Sequence, residues 1–304
     1  MKTVFIVNPA SANGATGKQW PQVSERIRQR GLEHSAVLTS GPAEATRLAA
    51  DALESGADTV TAVGGDGTLS DVANGFFGAE QAFDDAALGL LPFGTGGDCR
   101  RTLGIPLELE AAIDCLKARK VRRIDVGRVE MEALQGGRTM RHFVNIADAG
   151  IGGVVVERVN RTTKLLGGKA TFMFASLATL ATYRPQVVRV ETAERVWEGR
   201  AQNVVVANCQ YFGGGMHVAP QAQPDDGTFD IVVFGDIARF EAMRSINDIY
   251  TAKHLENPKV TSWQASRVQV TSSERVLIDV DGELAGTLPA VFEVLPRALS
   301  VVVA

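Results

Sequence analysis

The first third of the chain alternates short apolar runs with segments whose apolar side chains recur at helical spacing. A buried strand is predicted at residues 3–8, a short strand at residues 35–39, and further strands at residues 58–63 and 87–93. Amphipathic helices are predicted between and after them, at residues 19–30, 43–55, 69–77 and 107–118. This order predicts a parallel sheet with helices on both faces, in which ligands bind at the carboxyl ends of the strands.

The pattern changes near residue 124, beyond which strand signals dominate. Strands are predicted at residues 126–131, 141–146, 187–191, 203–208, 229–234, 267–271, 276–280, 291–295 and 299–303. Two helices are predicted among them, at residues 169–182 and 240–250. We therefore predict an α/β domain over residues 1–124 and a second domain, rich in antiparallel strands, over residues 125–304. The last strand could return to the first domain.

The composition is that of a globular protein, with 45% apolar and 22% charged residues in a chain of 304. A net charge of −4 argues against nucleic-acid binding. Three widely separated cysteines argue against a disulfide framework or a zinc site, and they suit a reducing cytoplasm. The apolar stretch at residues 3–7 is too short for a signal peptide, and the one at residues 172–183 is too short for a membrane span.

Three loops share one layout, in which an apolar strand leads through a turn of small residues into a helix. They occupy residues 6–18, 62–75 and 90–100. Glycine after a strand lets the backbone approach an anion, at which the N–H groups of the next helix then point. One such loop is usually only a turn, but three at one sheet edge predict a polyphosphate site. The spacings of the Walker loop and of the dinucleotide fingerprint are both missing.

Three acidic positions are candidates for metal or proton chemistry, and each has a structural alternative. Asp66 lies among phosphate-binding glycines, where magnesium could bridge it to phosphate, or it caps the next helix. The turn at residues 225–227 could bind a hard cation, although composition alone favours a solvated β-turn. Asp279 and Asp281 point to one side of a strand end, where a carboxylate can act as a base. An ordinary Asp-Gly hairpin is the alternative there.

Taken together, these motifs resemble the catalytic family of diacylglycerol kinases, which includes bacterial lipid kinases and the catalytic regions of sphingosine and ceramide kinases. The resemblance spans nearly the whole chain. It rests on Asn8-Pro9, Gly64-Gly65-Asp66-Gly67-Thr68, Asn74-Gly75, residues 92–98, residues 145–150, Ala219-Pro220, Asp226-Gly227 and Asp281-Gly282-Glu283. It implies a nucleotide-binding α/β domain, a larger β-sandwich-like domain, and an active site in the cleft between them.

The resemblance also implies the site residues. ATP would be bound by Asn8, Pro9, Thr39, Gly64, Gly65, Asp66, Gly67, Thr68, Leu69, Ser70, Gly94, Thr95 and Gly96. The catalytic residues would be Asp66, which engages the magnesium of the nucleotide, Asp281, which takes the proton of the lipid hydroxyl, and Glu283, which supports Asp281 or shares its role. A separate structural magnesium would be bound by Gln223, Asp226 and Thr228. Ser70 and Gly97 depart from the common family pattern, and we expect altered nucleotide contacts there.

The function that follows is ATP- and Mg²⁺-dependent phosphorylation of a lipid hydroxyl, diacylglycerol-like, in phospholipid biosynthesis. A lipid substrate must enter from a membrane, and the net charge of −4 predicts that this cytoplasmic protein contacts the inner membrane surface only transiently. Residues 171–183 could line an acyl-chain pocket, with a core helix as the alternative. Two other functions stay open, an NAD kinase-like enzyme with a soluble substrate and a non-catalytic nucleotide- or lipid-binding regulator. The sequence does not choose the lipid, or between a monomer and a homodimer.

Overall fold

The computed structural model describes residues 2–41, 44–77, 83, 85–93, 97–161 and 168–304, with the side chains of residues 168–173 left out. The chain divides into two compact units. The first comprises Met1–Asp125 and Arg297–Ala304, and the second comprises Val126–Pro296.

The first unit contains a parallel sheet with helices on both faces, as predicted. Its elements are β1 (Thr3–Val7), α1 (Ala15–Gln29), β2 (His34–Leu38), α2 (Glu44–Glu54), β3 (Thr59–Gly64), α3 (Asp66–Asn74), β4 (Ala87–Pro92), α4 (Asp98–Leu103) and α5 (Leu109–Ala118), with 3₁₀ turns at Ser11–Gly14 and Gly75–Phe77. The strand order is β2–β1–β3–β4, and each of these strands runs parallel to its neighbour.

Alternation along the buried strands places the helices of the first unit. Phe5 and Val7 of β1 pack in one cluster with Trp20 of α1 and Ile113 of α5. Successive side chains of a strand point to opposite faces, so the alternate β1 residues face the other way. There α2 and α3 pack on each other and on the central strands. The carboxyl ends of β1, β2 and β3 therefore share one edge of a sheet that is covered on both faces.

The second unit is rich in antiparallel strands. Its elements are β5 (Lys120–Glu132), β6 (Arg138–Phe143), β7 (Ile146–Gly150), α6 (Ile151–Arg161), α7 (Gly168–Thr182), β8 (Gln186–Glu191), β9 (Val196–Ala201), β10 (Asn203–Ala207), β11 (Tyr211–Phe212), β12 (Met216–His217), β13 (Phe229–Phe234), α8 (Arg239–Arg244), β14 (Val260–Ala265), β15 (Arg267–Thr271), β16 (Leu277–Val280) and β17 (Glu283–Val303), with 3₁₀ turns at Asp248–Thr251 and Lys253–Glu256. One path of pairing runs β14–β13–β10–β7–β16–β17, and another leads from β17 through β15 and β8 to β9. The end of β17 belongs to the first unit, where Val301 pairs in parallel with Leu88 of β4.

Strands β7 and β16 present one face to the core of the second unit and the other face away from it. Ile278 and Val280 of β16 pack into the main cluster with Phe143, Phe229 and Phe292. The intervening side chains, on β16 and on its neighbour β7, point to the opposite face. Helix α6 covers that face and packs on β16. Polar side chains at the intervening positions are therefore buried between a sheet and a helix.

Several predicted elements differ from the structure. The strand predicted at residues 141–146 is divided between β6 and β7, and the strands predicted at residues 291–295 and 299–303 form the single strand β17. Helix α6 and strands β9 and β14 were not predicted. The helix predicted at residues 240–250 is shorter, because α8 ends at Arg244 and a 3₁₀ turn follows.

Candidate functional site

The structure brings several predicted nucleotide-binding residues together at the carboxyl edge of the parallel sheet. Asn8 follows β1, and its backbone N–H donates to the Val63 carbonyl at 3.1 Å. Its side-chain Nδ2 donates to Thr68 Oγ1 at 3.1 Å. Thr39 follows β2, and its N–H donates to the Val7 carbonyl at 2.8 Å. The loop after β1 folds back on α1, since the Pro9 carbonyl accepts from an N–H of that helix at 3.2 Å.

Helix α3 presents its N-terminus at this edge. Gly65 occupies the N-cap position, where no side chain of the described residues makes a capping hydrogen bond. The first N–H groups of a helix have no partners within it, so those of Asp66, Gly67 and Thr68 can bind an anion. The side chains of Leu69 and Ser70 are buried. A small open pocket lies here, lined by Gly64, Gly65, Asp66, Leu90, Pro92, Gly97 and Leu107.

Asp66 uses its carboxylate to cap a helix, and the helix is α4 rather than its own. One oxygen accepts from the N–H of Gly97 at 2.7 Å, and the other accepts from the N–H of Asp98 at 3.0 Å and of Cys99 at 3.3 Å. This contact fastens the end of the third glycine loop beside α3. The role of Asp66 toward magnesium stays a prediction. The predicted nucleotide contacts Gly94, Thr95 and Gly96 lie outside the described residues.

Arg100 is a charged residue at this edge that the sequence reasoning missed. It lies in the first turn of α4, and one guanidinium nitrogen, Nη1, donates to the Ile105 carbonyl at 3.2 Å. Its buried Nε has no partner among the described residues. Burial lowers the pKa of Arg100, which the carboxylates of Asp66 and Asp98 oppose. A signal is present in the sequence, because Arg100 closes the third glycine loop.

The turn between β16 and β17 contains the two other predicted catalytic residues, and the structure gives them different surroundings. Asp281 is buried and adopts a left-handed backbone conformation, with φ of 52°. Its carboxylate accepts hydrogen bonds from the N–H groups of Val144, Asn145 and Ile146, each at 3.0 Å. Its own N–H donates to the Ile146 carbonyl at 2.9 Å. Asp281 thus ties the turn to the junction of β6 and β7.

Glu283 is the accessible carboxylate of the turn. Its side chain is 43% exposed, and it forms an ion pair with Arg141 at 3.1 Å. An exposed carboxylate can approach a substrate hydroxyl, whereas the oxygens of Asp281 already accept three backbone donors. The geometry therefore favours Glu283 over Asp281 for proton transfer, and the predicted role of Asp281 as the base stays a prediction.

The predicted structural metal site is an exposed turn. Asp226 Oδ1 accepts from both the N–H and the hydroxyl group of Thr228, each at 2.9 Å. The described residues contain no group of three or more acidic, histidine or cysteine side chains that could hold a metal ion. The predicted magnesium site needs only one such side chain, that of Asp226, because Gln223 and Thr228 would contribute backbone carbonyls. The charge of Asp226 also adds to burial in raising the pKa of Asp230.

Helices α7 and α8 pack against each other and carry exposed apolar side chains. Phe174 and Leu177 of α7 are 66% and 39% exposed, and Phe240 and Met243 of α8 are 80% and 47% exposed. The outward position of Phe174 argues against α7 being only a core helix. Across the described ranges, no helix is long and apolar enough to cross a membrane.

Comparison with known proteins agrees with this arrangement. The family model "Diacylglycerol kinase catalytic domain" matches residues 2–129, and "YegS C-terminal NAD kinase beta sandwich-like domain" matches residues 145–303. The chain is 29% identical to the diacylglycerol kinase of Bacillus subtilis over 98% of this chain and 95% of that protein. It is also 29% identical to that of Mycobacterium tuberculosis, over 99% and 94%. A crystal structure of a diacylglycerol kinase from Bacillus anthracis matches with a TM-score of 0.73 at 23% identity, covering 100% of this chain and 97% of that one. The chain belongs to the diacylglycerol kinase family.

Proposed function

We propose that this protein transfers the γ-phosphoryl group of ATP to a lipid hydroxyl group, with magnesium, and that the lipid is diacylglycerol-like. The observation that carries the proposal is the uncapped N-terminus of α3 beside a glycine-lined pocket, at the carboxyl edge of a parallel sheet. Backbone N–H groups and the helix dipole favour a polyphosphate there. The names of the curated relatives support a lipid acceptor.

The first unit would bind the nucleotide. Gly64, Gly65 and the first turn of α3 would contact the phosphates, and the hydrogen bond from Asn8 to Thr68 would hold two of the loops in register. Magnesium, when bound, would offset the phosphate charge. At the separate structural site, the second oxygen of Asp226 has no partner among the described residues, so carboxylate and carbonyl oxygens there fit a hard cation.

Glu283 would accept the proton of the lipid hydroxyl. As the lipid oxygen bonds to the γ-phosphorus, the bond from that phosphorus to the bridging oxygen of ATP breaks and the hydroxyl proton passes to Glu283. Arg141 would hold the carboxylate in place through its 3.1 Å ion pair. Asp281 would position the turn through its three backbone hydrogen bonds.

The exposed apolar surface of α7 and α8, defined by Phe174, Leu177, Phe240 and Met243, would contact the membrane that supplies the lipid. Arg184 lies just after α7 and Arg244 is the last residue of α8, and both can interact with anionic headgroups. These features support a cytoplasmic enzyme of phospholipid metabolism that associates with the inner membrane surface only transiently.

The test is transfer of labelled γ-phosphate from ATP with magnesium to diacylglycerol, sphingosine and phosphatidylglycerol in mixed micelles, and to NAD in solution. NAD is included because the second family model is described by its likeness to NAD kinase. We expect label in a lipid product, with a rate that falls by about 10²- to 10⁴-fold in Glu283→Gln. The matched control is Glu194→Gln, an exposed glutamate in the turn before β9. Label in NAD alone would contradict the lipid assignment.

A further inference from the structure

Two buried aspartates face each other beneath helix α6, and the proposed mechanism uses neither. Asp148 of β7 and Asp279 of β16 are direct partners in the antiparallel register. Side chains at such positions share one face of the sheet, with Cβ atoms about 5 Å apart. The residues are only 1% and 8% exposed. We call Asp148 and Asp279 the carboxyl pair.

The surroundings of the carboxyl pair supply few donors. Oδ1 of Asp148 and Oδ1 of Asp279 are both buried without a hydrogen-bond partner in the described part of the chain. The Asn203 side chain bonds to Asp148, and the Gly282 N–H bonds to Asp279. Neither aspartate forms an ion pair with any described cation. Two ionised carboxylates in this position would repel each other without compensation.

Helix α6 closes tightly over the carboxyl pair. A Cβ atom added to Gly152 would lie 2.1 Å from Asp148 Oδ1, and one added to Gly153 would lie 2.7 Å from the Cβ of Leu277. Glycine is thus required at Gly152 for the helix to approach the carboxyl group. This close contact keeps water from hydrating the carboxylate oxygens.

The charged groups that shift the pKa values of the carboxyl pair are acidic. On the β16–β17 turn, Asp281 and Glu283 raise the pKa of Asp279 further, after burial and Asp148. At the end of α7, the charge of Asp148 adds to burial in raising the pKa of Tyr183. Burial raises the pKa of Asp148 to about 7. At neutral pH the carboxyl pair therefore retains at least one proton.

We propose that Asp148 and Asp279 share one proton, and that this proton holds the Asp281–Glu283 turn against β7 in its working position. The two residues are positioning residues for the reaction proposed above, on which this inference rests. The proton supplies the pair with a donor that the surrounding protein does not provide to the two buried Oδ1 atoms. Its loss would leave the buried carboxylates of Asp148 and Asp279 in mutual repulsion beside Asp281, and the turn would move away from β7.

The test compares the whole wild-type protein with Asp279→Asn and Asp148→Asn, which are neutral and nearly isosteric. Asp236→Asn is the matched control, because Asp236 is an exposed aspartate of the same unit. The first readout is the thermal midpoint of the second unit from pH 5 to pH 9. The second is the lipid kinase kcat/KM of each protein from pH 7 to pH 9, relative to its own value at pH 7. The third is the ¹³Cγ NMR titration of the wild-type aspartates.

We expect the thermal midpoint and kcat/KM of the wild type to fall as pH rises. Both declines should be at least halved in Asp279→Asn and Asp148→Asn. Two ¹³Cγ signals of the wild type should titrate near or above neutral pH. An unchanged midpoint profile in Asp279→Asn, or no aspartate titrating above pH 6, would overturn the proposal. A flattened midpoint profile with an unchanged kcat/KM profile would also overturn it, because the proton would then stabilise the fold without positioning the turn. If the wild type phosphorylates no acceptor, the proposed function fails, while the midpoint and NMR readouts still decide whether the proton is shared.

Discussion

Replacing Asp281 by asparagine separates an anchoring role of this residue from a chemical one. An amide has one acceptor oxygen where the carboxylate has two. If that oxygen stays on the N–H groups of Asn145 and Ile146, the NH₂ group faces the N–H of Val144, donor against donor. One buried hydrogen bond is lost, and the other two lose the contribution of the charge.

The magnitude follows from these contacts. Hydrogen bonds to charged groups contribute about 1.5–3 kcal/mol and neutral ones about 0.5–1.5 kcal/mol. Losing one bond and weakening two therefore costs about 4 kcal/mol in the free energy of unfolding. For a unit of this size, each 1 kcal/mol shifts the midpoint by roughly 2–4 °C. We expect the Tm of the second unit to fall by about 10 °C in Asp281→Asn.

The assay is differential scanning calorimetry, with lipid kinase activity measured well below each midpoint. Glu283→Gln is the control, because its exposed carboxylate makes no buried backbone bonds, and we expect its Tm to change by less than about 2 °C. Its activity should fall far more than that of Asp281→Asn. An Asp281→Asn protein with wild-type Tm and with activity as low as that of Glu283→Gln would refute the reasoning and make Asp281 the base.

Two further predictions concern other parts of the second unit. Burial, with the charge of Arg128, lowers the pKa of His142 in the folded protein to about 4. The unfolded state has the ordinary histidine pKa of about 6.5, so it binds this proton before the folded state does as pH falls. The free energy of unfolding, measured by urea titration, should therefore decline by roughly 3 kcal/mol between pH 6.5 and pH 4. His142→Gln should flatten that decline, and an equal dependence on pH in the two proteins would contradict the prediction. On the α7–α8 surface, Phe174→Ser with Phe240→Ser should reduce co-sedimentation with phosphatidylglycerol vesicles several-fold, whereas Val196→Ser, at an exposed position of β9, should not. Equal losses in the two proteins would argue against a specific membrane surface.

Local patterns in the sequence predicted the first unit well because its strands are continuous apolar runs. Residues 59–64 and 87–92 are buried almost throughout, and the loops after them contain the glycines that bring α3 and α4 to the sheet edge. The same reasoning predicted a polyphosphate site at this edge from the loops alone, and that site stays a prediction. It could not show that Asp66 caps α4, because that bond joins residues 31 to 33 positions apart.

Long-range contacts explain what the sequence did not show in the second unit. Residues 141–146 look like one strand, but Asp281, more than 130 positions away, accepts hydrogen bonds from the N–H groups of Val144, Asn145 and Ile146. Helix α6 was missed because Gly152 and Gly153 argue against a helix, and only their closeness to Asp148 and Leu277 accounts for them. Strand β9 was missed because Glu198, Gly199 and Arg200 interrupt its apolar residues and the strand is largely exposed.

Strand β17 has a consequence for how the chain is made. Its final residues complete the first unit, with Val301 lying beside Leu88, although more than 200 positions separate them in sequence. During synthesis the N-terminal residues leave the ribosome long before that strand, so until then β4 is paired with β3 but not with β17. An unpaired strand edge is a template for association with other chains. Emergence of residues 297–304 from the ribosome would therefore be the step that ends this exposure, and removing these residues should leave a first unit that depends on chaperones.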